Sequence, residues 1–417
     1  MNNICLNMIV KNESEIIVDT FNNLRKSIEI NKFIISDTGS TDDTIQVMQD
    51  YFLKNNLEFE IHNDKWINFG HNRNLALSHC SGKSDYILFF DADDRLEGEL
   101  KLPTLTADIY GLKYKSANSQ GFIYFRKGLI RNTVAKWIGV IHETIMPLYE
   151  NLNQVEIDGN YYIQTGHFGS RSNNPNKYLE DALILEEAFH NEPDTSILKT
   201  RYAHYCATSY YSHGDISKSI EWFKNRIKLR KNSPDFNEEY LAYRYLGMIY
   251  KENAEYSLAI DTWLTGWNHH SSKAELLYEA SSTHGEIGNY RLAYEIALWG
   301  KDIINSPIDQ NYCFEENIYK YGLNYLISRY GILSGIYDQP FKALVNIANQ
   351  PFYSIELVDH VIESLNKILN SNVQIHTDIC FLEKLINYIN NHDCTLTTMR
   401  NELSQLLMAY TQKTNGF

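Results

Sequence analysis

The spacing of apolar positions divides the chain into two textures. Up to about Tyr162, short apolar runs alternate with amphipathic segments, the pattern of an α/β domain with a largely parallel sheet. Ile4 to Val10 and Lys32 to Ser36 read as buried strands. Between them Ser14 to Ile28 sets Ile17, Phe21, Leu24 and Ile28 at helical spacing, and Thr41 to Phe52 follows as a second helix. Glu58 to His62 adds a third strand, Asn72 to Ser81 a third helix, and Asp85 to Phe90 the most apolar strand, which stops abruptly in Asp91-Ala92-Asp93-Asp94. From Ile109 to Val140 the pieces turn short and β-rich, so a mixed sheet is expected to close over the end of the first strands.

From Lys177 onward the spacing is helical almost throughout. HGDISKSIEWF, ENAEYSLAIDTW and EIGNYRLAYEIA superpose, with Ile216, Tyr256 and Tyr290 equivalent and Ser219, Ala259 and Ala293 equivalent. The offsets are 40 and 34 residues. A period of this size, with a small residue in each helix and an aromatic near the turn, resembles tetratricopeptide repeats. The expected organisation is an α/β domain over 1–175 and an all-α repeat domain over 176–417. Tyr210, Trp222, Tyr245, Tyr250 and Trp263 are expected to pack between helices, or to line a concave surface that holds an acceptor or a second copy of the chain as a homodimer.

Composition narrows the function. Lys and Arg number 38 against 52 Asp and Glu, and a formal net charge of −14 repels nucleic acid rather than steering it in. An anionic ligand must therefore meet a local cation, either a metal or placed Arg and Lys side chains. The six cysteines show no short C-x-x-C spacing, which argues against a zinc module or a disulfide framework. With no leader pattern at the start and no apolar run of about 18 residues, a soluble, cytoplasmic protein is expected.

The acidic turn after the Asp85–Phe90 strand carries the most chemistry. Carboxylates there project into the crevice beyond the carboxyl ends of the strands, where open α/β sheets bind ligands. Oxygen ligands so placed suit Mg²⁺ or Mn²⁺ shared with substrate phosphates. A bare acidic turn capping the next helix is the plain alternative. A phosphatase of the haloacid-dehalogenase type fits less well, because Arg95 follows the turn and three strand–helix units precede it; a calcium loop lacks the alternating oxygen ligands.

CLNMIVKNESEII, IISDTGSTDDTIQVM, FGHNRNLAL and DYILFFDADD, in that order, resemble the family-2 glycosyltransferases of the GT-A fold. GLIRNTVAKWIGVIHET is similar to the family segment that ends in a His-Glu pair, and members with a tetratricopeptide-like tail include peptide-modifying ones. The resemblance implies a nucleotide-diphosphate sugar, UDP favoured, with Mn²⁺ or Mg²⁺ at Asp91 and Asp93 and a donor site that includes Ala92. It implies that Val10, Asn12 and Glu13 lie beside the nucleotide, that Asp37 bonds the base or ribose, and that Arg73 sits by the base or phosphates. Asn12 and Ser14 can equally cap a helix, and Asp37 can serve its turn.

An inverting transferase needs a group that takes the acceptor proton. Glu143 is the first candidate, with Asp93, Asp94 and His142 as rivals. His142 or His167 can instead complete the metal site. Arg171 and Lys177 are placed to reach the diphosphate from a Gly-, Ser- and Asn-rich stretch that reads as a lid or as an interdomain linker. The expected activity is transfer of a hexose-type sugar to a glycan or a protein or peptide acceptor. Two other classes stay open: a repeat scaffold with an inactive transferase domain, and a metal-dependent nucleotide-sugar hydrolase.

Overall fold

A computed structural model describes residues 2–115, 123–166, 169, 171, 174–229, 236–301, 303, 315, 317–350, 354–371, 383, 401–402 and 404–409. The chain divides into two compact units, one built mainly on Met1–Ala242 and the other on Tyr243–Ile308 and Glu315–Phe417.

The first unit opens with β1 (Ile4–Val10), α1 (Ile17–Arg25), β2 (Lys32–Asp37), α2 (Thr44–Lys54), β3 (Glu58–Asn63), α3 (Phe69–His79) and β4 (Tyr86–Phe89). β1 lies between β2 and β4, parallel to both, and β3 extends the sheet beyond β2. Alternation sorts the side chains: Leu6, Met8, Phe33, Ile35 and Leu88 join one core with Phe21 and Phe52, while Cys5, Ile34, Ile87 and Phe89 join another with Cys80 and Trp137. Both faces of the central strands are therefore covered, which is why they read as unbroken apolar runs.

The later strands are β5 (Arg95–Gly98), β6 (Ile109–Lys115), β7 (Ile123–Arg131), β8 (Ala135–Ile138), β9 (Thr144–Pro147), β10 (Gln154–Glu156) and β11 (Tyr161–Gln164). β7 runs antiparallel to β4 and joins β6 and β11 to the first sheet, making it mixed as expected; β5 pairs antiparallel with β11. β8 and β9 form a separate hairpin. The unit continues through α4 (Lys177–Asn191), α5 (Ile197–His213) and α6 (Ile216–Lys228) into α7 (Phe236–Glu252), which reaches the second unit.

Capping explains where helix ends differ from the periodic pattern. α3 begins at Phe69, ahead of the expected Asn72, because the Asn68 side chain accepts from the His71 amide at 2.8 Å and satisfies an amide left open at the helix start. α2 begins later than Thr41 because the Asp37 carboxylate draws the Gly39 and Ser40 amides into a turn, both at 3.0 Å.

Beyond α7 come α8 (Tyr256–His269), α9 (Glu275–Glu286) and α10 (Tyr290–Lys301), then a π-helical turn Ile318–Gly322 leading into α11 (Leu323–Leu333), α12 (Asp338–Ala348) and α13 (Ile355–Leu369). The repeat seen in sequence is visible in each turn. Gly214, Ala254 and Gly288 each take a left-handed φ, of 93°, 59° and 84°, directly before α6, α8 and α10. Ser219, Ala259 and Ala293 are fully buried, as expected where two helices approach closely. Tyr210, Trp222, Tyr250 and Trp263 are buried, in keeping with packing between helices. No helix among the described residues is long and apolar enough to cross a membrane.

Candidate active site

Three loops at the carboxyl ends of β1, β2 and β4 build one wall of a cleft. After β1 the chain turns at Asn12, whose φ of 56° is left-handed. Its side-chain oxygen accepts from the Thr41 amide at 2.7 Å and its own amide donates to Ser40 Oγ at 2.9 Å, so the β1 and β2 loops are locked together. Asp37, 3% exposed, uses Oδ2 for the turn amides, while its buried Oδ1 has no partner among the described residues. A buried acceptor without a donor is costly, and its neighbour Thr38 lines the cavity.

The turn after β4 sorts three carboxylates by their surroundings. Asp91 faces two guanidiniums, Arg73 at 2.7 Å and Arg126 at 3.6 Å. Burial opposes its charge, but these cations prevail and hold its pKa at about 2. Asp93 Oδ2 accepts from the Gly169 amide at 3.3 Å, and Glu13 flanks the same glycine. Asp94, 3% exposed, accepts from the Gly166 amide at 3.3 Å through Oδ1, and its Oδ2 has no partner among the described residues. Burial, with the like charges of Asp91 and Asp93, pushes its carboxyl well above the usual range. The segment after β11 is pressed onto this turn so closely that a Cβ at Gly166 would lie 1.8 Å from the Asp93 carbonyl oxygen.

Arg73 enters from the second turn of α3 and ties the acidic turn to the chain between β8 and β9. Its Nε donates to Glu143, and its guanidinium lies 4.9 Å from the centre of the Trp137 ring. Burial works against the Glu143 charge, yet Arg73 and Arg126 hold its carboxyl below the usual range. His142 has a left-handed φ of 50°. Its ring stacks on Tyr205 at 4.1 Å, and burial lowers its pKa to about 3, so the imidazole is neutral at physiological pH.

Two cavities meet here. The larger, about 1030 Å³, is lined by Val10, Asn12, Glu13, Thr38 and the Asp91–Asp93 turn, and reaches Ile184 and Ala188 on α4. The smaller, about 490 Å³, contains Arg126, Lys127, Trp137, His142 and Glu143. Phe69, Arg73, Asp91, Ile141, Arg171 and Lys177 border both. Val10, Asn12, Glu13, Arg73, Asp91, Ala92 and Asp93 are thus brought to one cleft, with His142 and Glu143 at its second arm. Asp37 lies behind the wall, and Asp94 beneath the turn. His167 lies outside the described residues. Arg171 binds Asp181 and stands 4.8 Å from the Phe69 ring.

Sequence reasoning passed over Arg126, Trp66, Phe69 and the α4 face. Arg126 within the strand YFRKGLI was the available signal for the first, since a buried guanidinium calls for a carboxylate near it.

Among the described residues no group of three or more His, Cys, Asp or Glu side chains is arranged to hold a metal ion. A hard cation shared with substrate phosphates needs only one or two carboxylates. Asp93 with Glu13 close by meets that requirement, whereas the Asp91 oxygens are matched by guanidiniums.

Residues 5–178, which hold the β1, β2 and β4 loops, Arg73 and Glu143, match the family model described as Glycosyl transferase family 2. Among solved structures, Staphylococcus aureus TarS 1-349 in complex with UDP-GlcNAc is similar at 17% identity, with 58% of this chain and 86% of that chain covered and a TM-score of 0.33. The same protein in complex with UDP matches at 16% identity over 64% and 91% of the two chains, with a TM-score of 0.32. MamA 41-end from Desulfovibrio magneticus RS-1 is similar at 14% identity over 47% and 89%, with a TM-score of 0.29.

Proposed function

We propose that the chain is an inverting glycosyltransferase that moves a hexose-type sugar from a nucleotide-diphosphate donor, UDP favoured, to a glycan or a protein or peptide acceptor. The observation that carries this reading is the junction of two cavities at Arg73 and Asp91, with an ionised, buried Glu143 facing the second. The family-2 match over residues 5–178 agrees with it.

In this reading the nucleotide lies along the β1 and β2 loops. The Asn12 turn fixes the wall, and Asp37 Oδ1 receives a donor from the base or ribose. Arg73 and Lys177 face the diphosphate, and the sugar lies at the junction. The acceptor enters the smaller cavity, where its hydroxyl attacks the anomeric carbon as the bond to the diphosphate oxygen breaks. The electron pair leaves with the diphosphate, and the hydroxyl proton passes to Glu143. Asp93, with Glu13 near it, would hold Mn²⁺ or Mg²⁺, which when bound supplies positive charge to the leaving diphosphate. Asp94 is assigned to support of the turn, because it is buried beneath it and borders neither cavity. His142 is assigned to shaping the acceptor arm.

Calorimetric titration of UDP, GDP and their common sugars, with and without Mn²⁺, tests the donor site against Asp93→Asn. Metal-dependent binding of one nucleotide class that Asp93→Asn weakens is expected. Failure of every nucleotide to bind would reject the enzyme reading, and nucleotide release at the same rate with and without acceptors would favour a hydrolase.

A further inference from the structure

We propose that the smaller cavity selects an acceptor carrying an anionic group, a phosphate or a carboxylate, seated on Lys127 beside the hydroxyl that reacts. This inference rests on the transferase reading and names its acceptor chemistry.

The lining of the smaller cavity holds six cationic side chains and three carboxylates. Most of the cations are matched: Arg73 by Asp91 and Glu143, Arg126 by Asp91, Arg171 by Asp181, and Arg201 by Glu238 at 2.5 Å. Lys127 and Lys177 have no carboxylate within ion-pair distance among the described residues. Lys177 stands at the mouth shared with the donor cleft, where the diphosphate can claim it. Lys127 borders only the smaller cavity.

Lys127 is also half-buried, and burial alone lowers its pKa. Its ammonium donates to the Ile145 carbonyl at 3.4 Å, among the described residues one weak bond for a group with three donors. An ammonium drawn out of water without a counter-ion costs stability, and a ligand anion would recover that cost. Ile145 lies on β9, which starts immediately after Glu143. An anion held at Lys127 is therefore registered against the proposed base through a short piece of one strand. A neutral sugar would leave the ammonium unmatched, and a cationic peptide would add to the excess.

The test uses the full chain saturated with UDP and Mn²⁺, so that free anions do not occupy the donor diphosphate site. Glycerol 3-phosphate and glucuronate are titrated by ligand-observed NMR beside their neutral counterparts glycerol and glucose. Lys127→Met and Lys127→Arg are compared after their melting curves show that both fold. At least one anion is expected to bind ten-fold or more tightly than its neutral counterpart. That preference should vanish in Lys127→Met and persist in Lys127→Arg, and whichever anion shows it identifies phosphate or carboxylate. Equal binding of neutral and charged probes, no binding of any, or an anion preference that survives Lys127→Met would overturn the proposal. So would a Lys127-dependent preference for UDP-glucuronate over UDP-glucose, because the anion would then belong to the donor sugar. UDP titration of the same preparations stands apart: absence of UDP binding rejects the transferase reading itself.

Discussion

Arg73 and Glu143, far apart in the chain, meet inside the cleft, the guanidinium donating to the carboxylate through Nε while its Nη2 reaches Asp91 at 2.7 Å. One cation thus joins the end of β4 to the start of β9. Both carboxylates depend on it for their charge. Removing one partner from a buried ion pair costs about 3–5 kcal/mol, because the other charge stays buried. Arg73→Met should lower the melting temperature by several degrees and cut acceptor-dependent UDP release roughly 100-fold, and Arg73→Lys should recover little because it cannot fork between two carboxylates. Both are read by scanning calorimetry and a coupled assay.

Asp94 separates support from chemistry. The unfolded carboxyl ionises above about pH 4, while the folded one stays protonated to a much higher pH. Its contribution to stability is therefore full below that pH and is lost as pH rises toward the folded pKa. Asp94→Asn imitates the neutral acid, so its melting temperature relative to wild type should climb as pH rises above about 4. It should also keep measurable transfer, whereas Glu143→Gln should lose it by a factor of about 100 to 10,000. The opposite ranking would make Asp94 the base.

Two glycines offer a controlled contrast. A Cβ at Gly166 would collide with the Asp93 backbone, whereas at Gly39 it would meet open space at a φ of 105°. Gly39→Ala should cost ~1–2 kcal/mol of backbone strain and leave metal-dependent UDP binding nearly intact. Gly166→Ala must displace the segment after β11 from the acidic turn, and at least a ten-fold loss in that affinity is expected by calorimetry.

Local pattern and non-local pairing divide what could be read without the structure. β1, β2 and β4 were legible because both of their faces are buried, and the repeat turns because Ile216, Tyr256 and Tyr290 each stand three residues before the small Ser219, Ala259 and Ala293. β5 was not: Arg95-Leu96-Glu97-Gly98 looks like the polar tail of the acidic turn and becomes a strand only through pairing with β11. The cleft residues Asn12, Asp93 and Glu143 came from ordered motifs. Arg126 faces Asp91 only because β7 pairs antiparallel with β4, a register that no local pattern shows. The α4 face hid for a related reason, since Ile184 and Ala188 follow a stretch whose composition is also that of a linker.

Gly247 tests the repeat helices independently of the cleft. An added Cβ there would lie 2.2 Å from Trp263 Nε1, whose ring is fully buried and whose N–H donates to the Arg244 carbonyl at 3.1 Å. A rigid indole in a packed core cannot step aside cheaply, so Gly247→Ala should destabilise by about 1–3 kcal/mol, read by urea unfolding. UDP affinity should stay within two-fold of wild type.

His142 and His204 set the acid side of the stability curve. Tyr205 stacks on His142 and meets the His204 ring edge-on at 5.1 Å, and burial lowers both pKa values to about 3. Below pH ~6.5 the unfolded histidines take up protons that the folded ones refuse. Stability is thus full above that pH and is lost progressively as pH falls toward 3. The double variant His142→Phe with His204→Phe should flatten this decline, measured as urea midpoints from pH 7 to pH 4. The same neutrality constrains the reaction. If Glu143 accepts the proton, the acid limb of kcat follows a carboxylate and stays below pH 5, unmoved by His142→Phe. An acid limb near pH 6.5 that disappears in His142→Phe would transfer the base to the imidazole and reduce Glu143 to its partner.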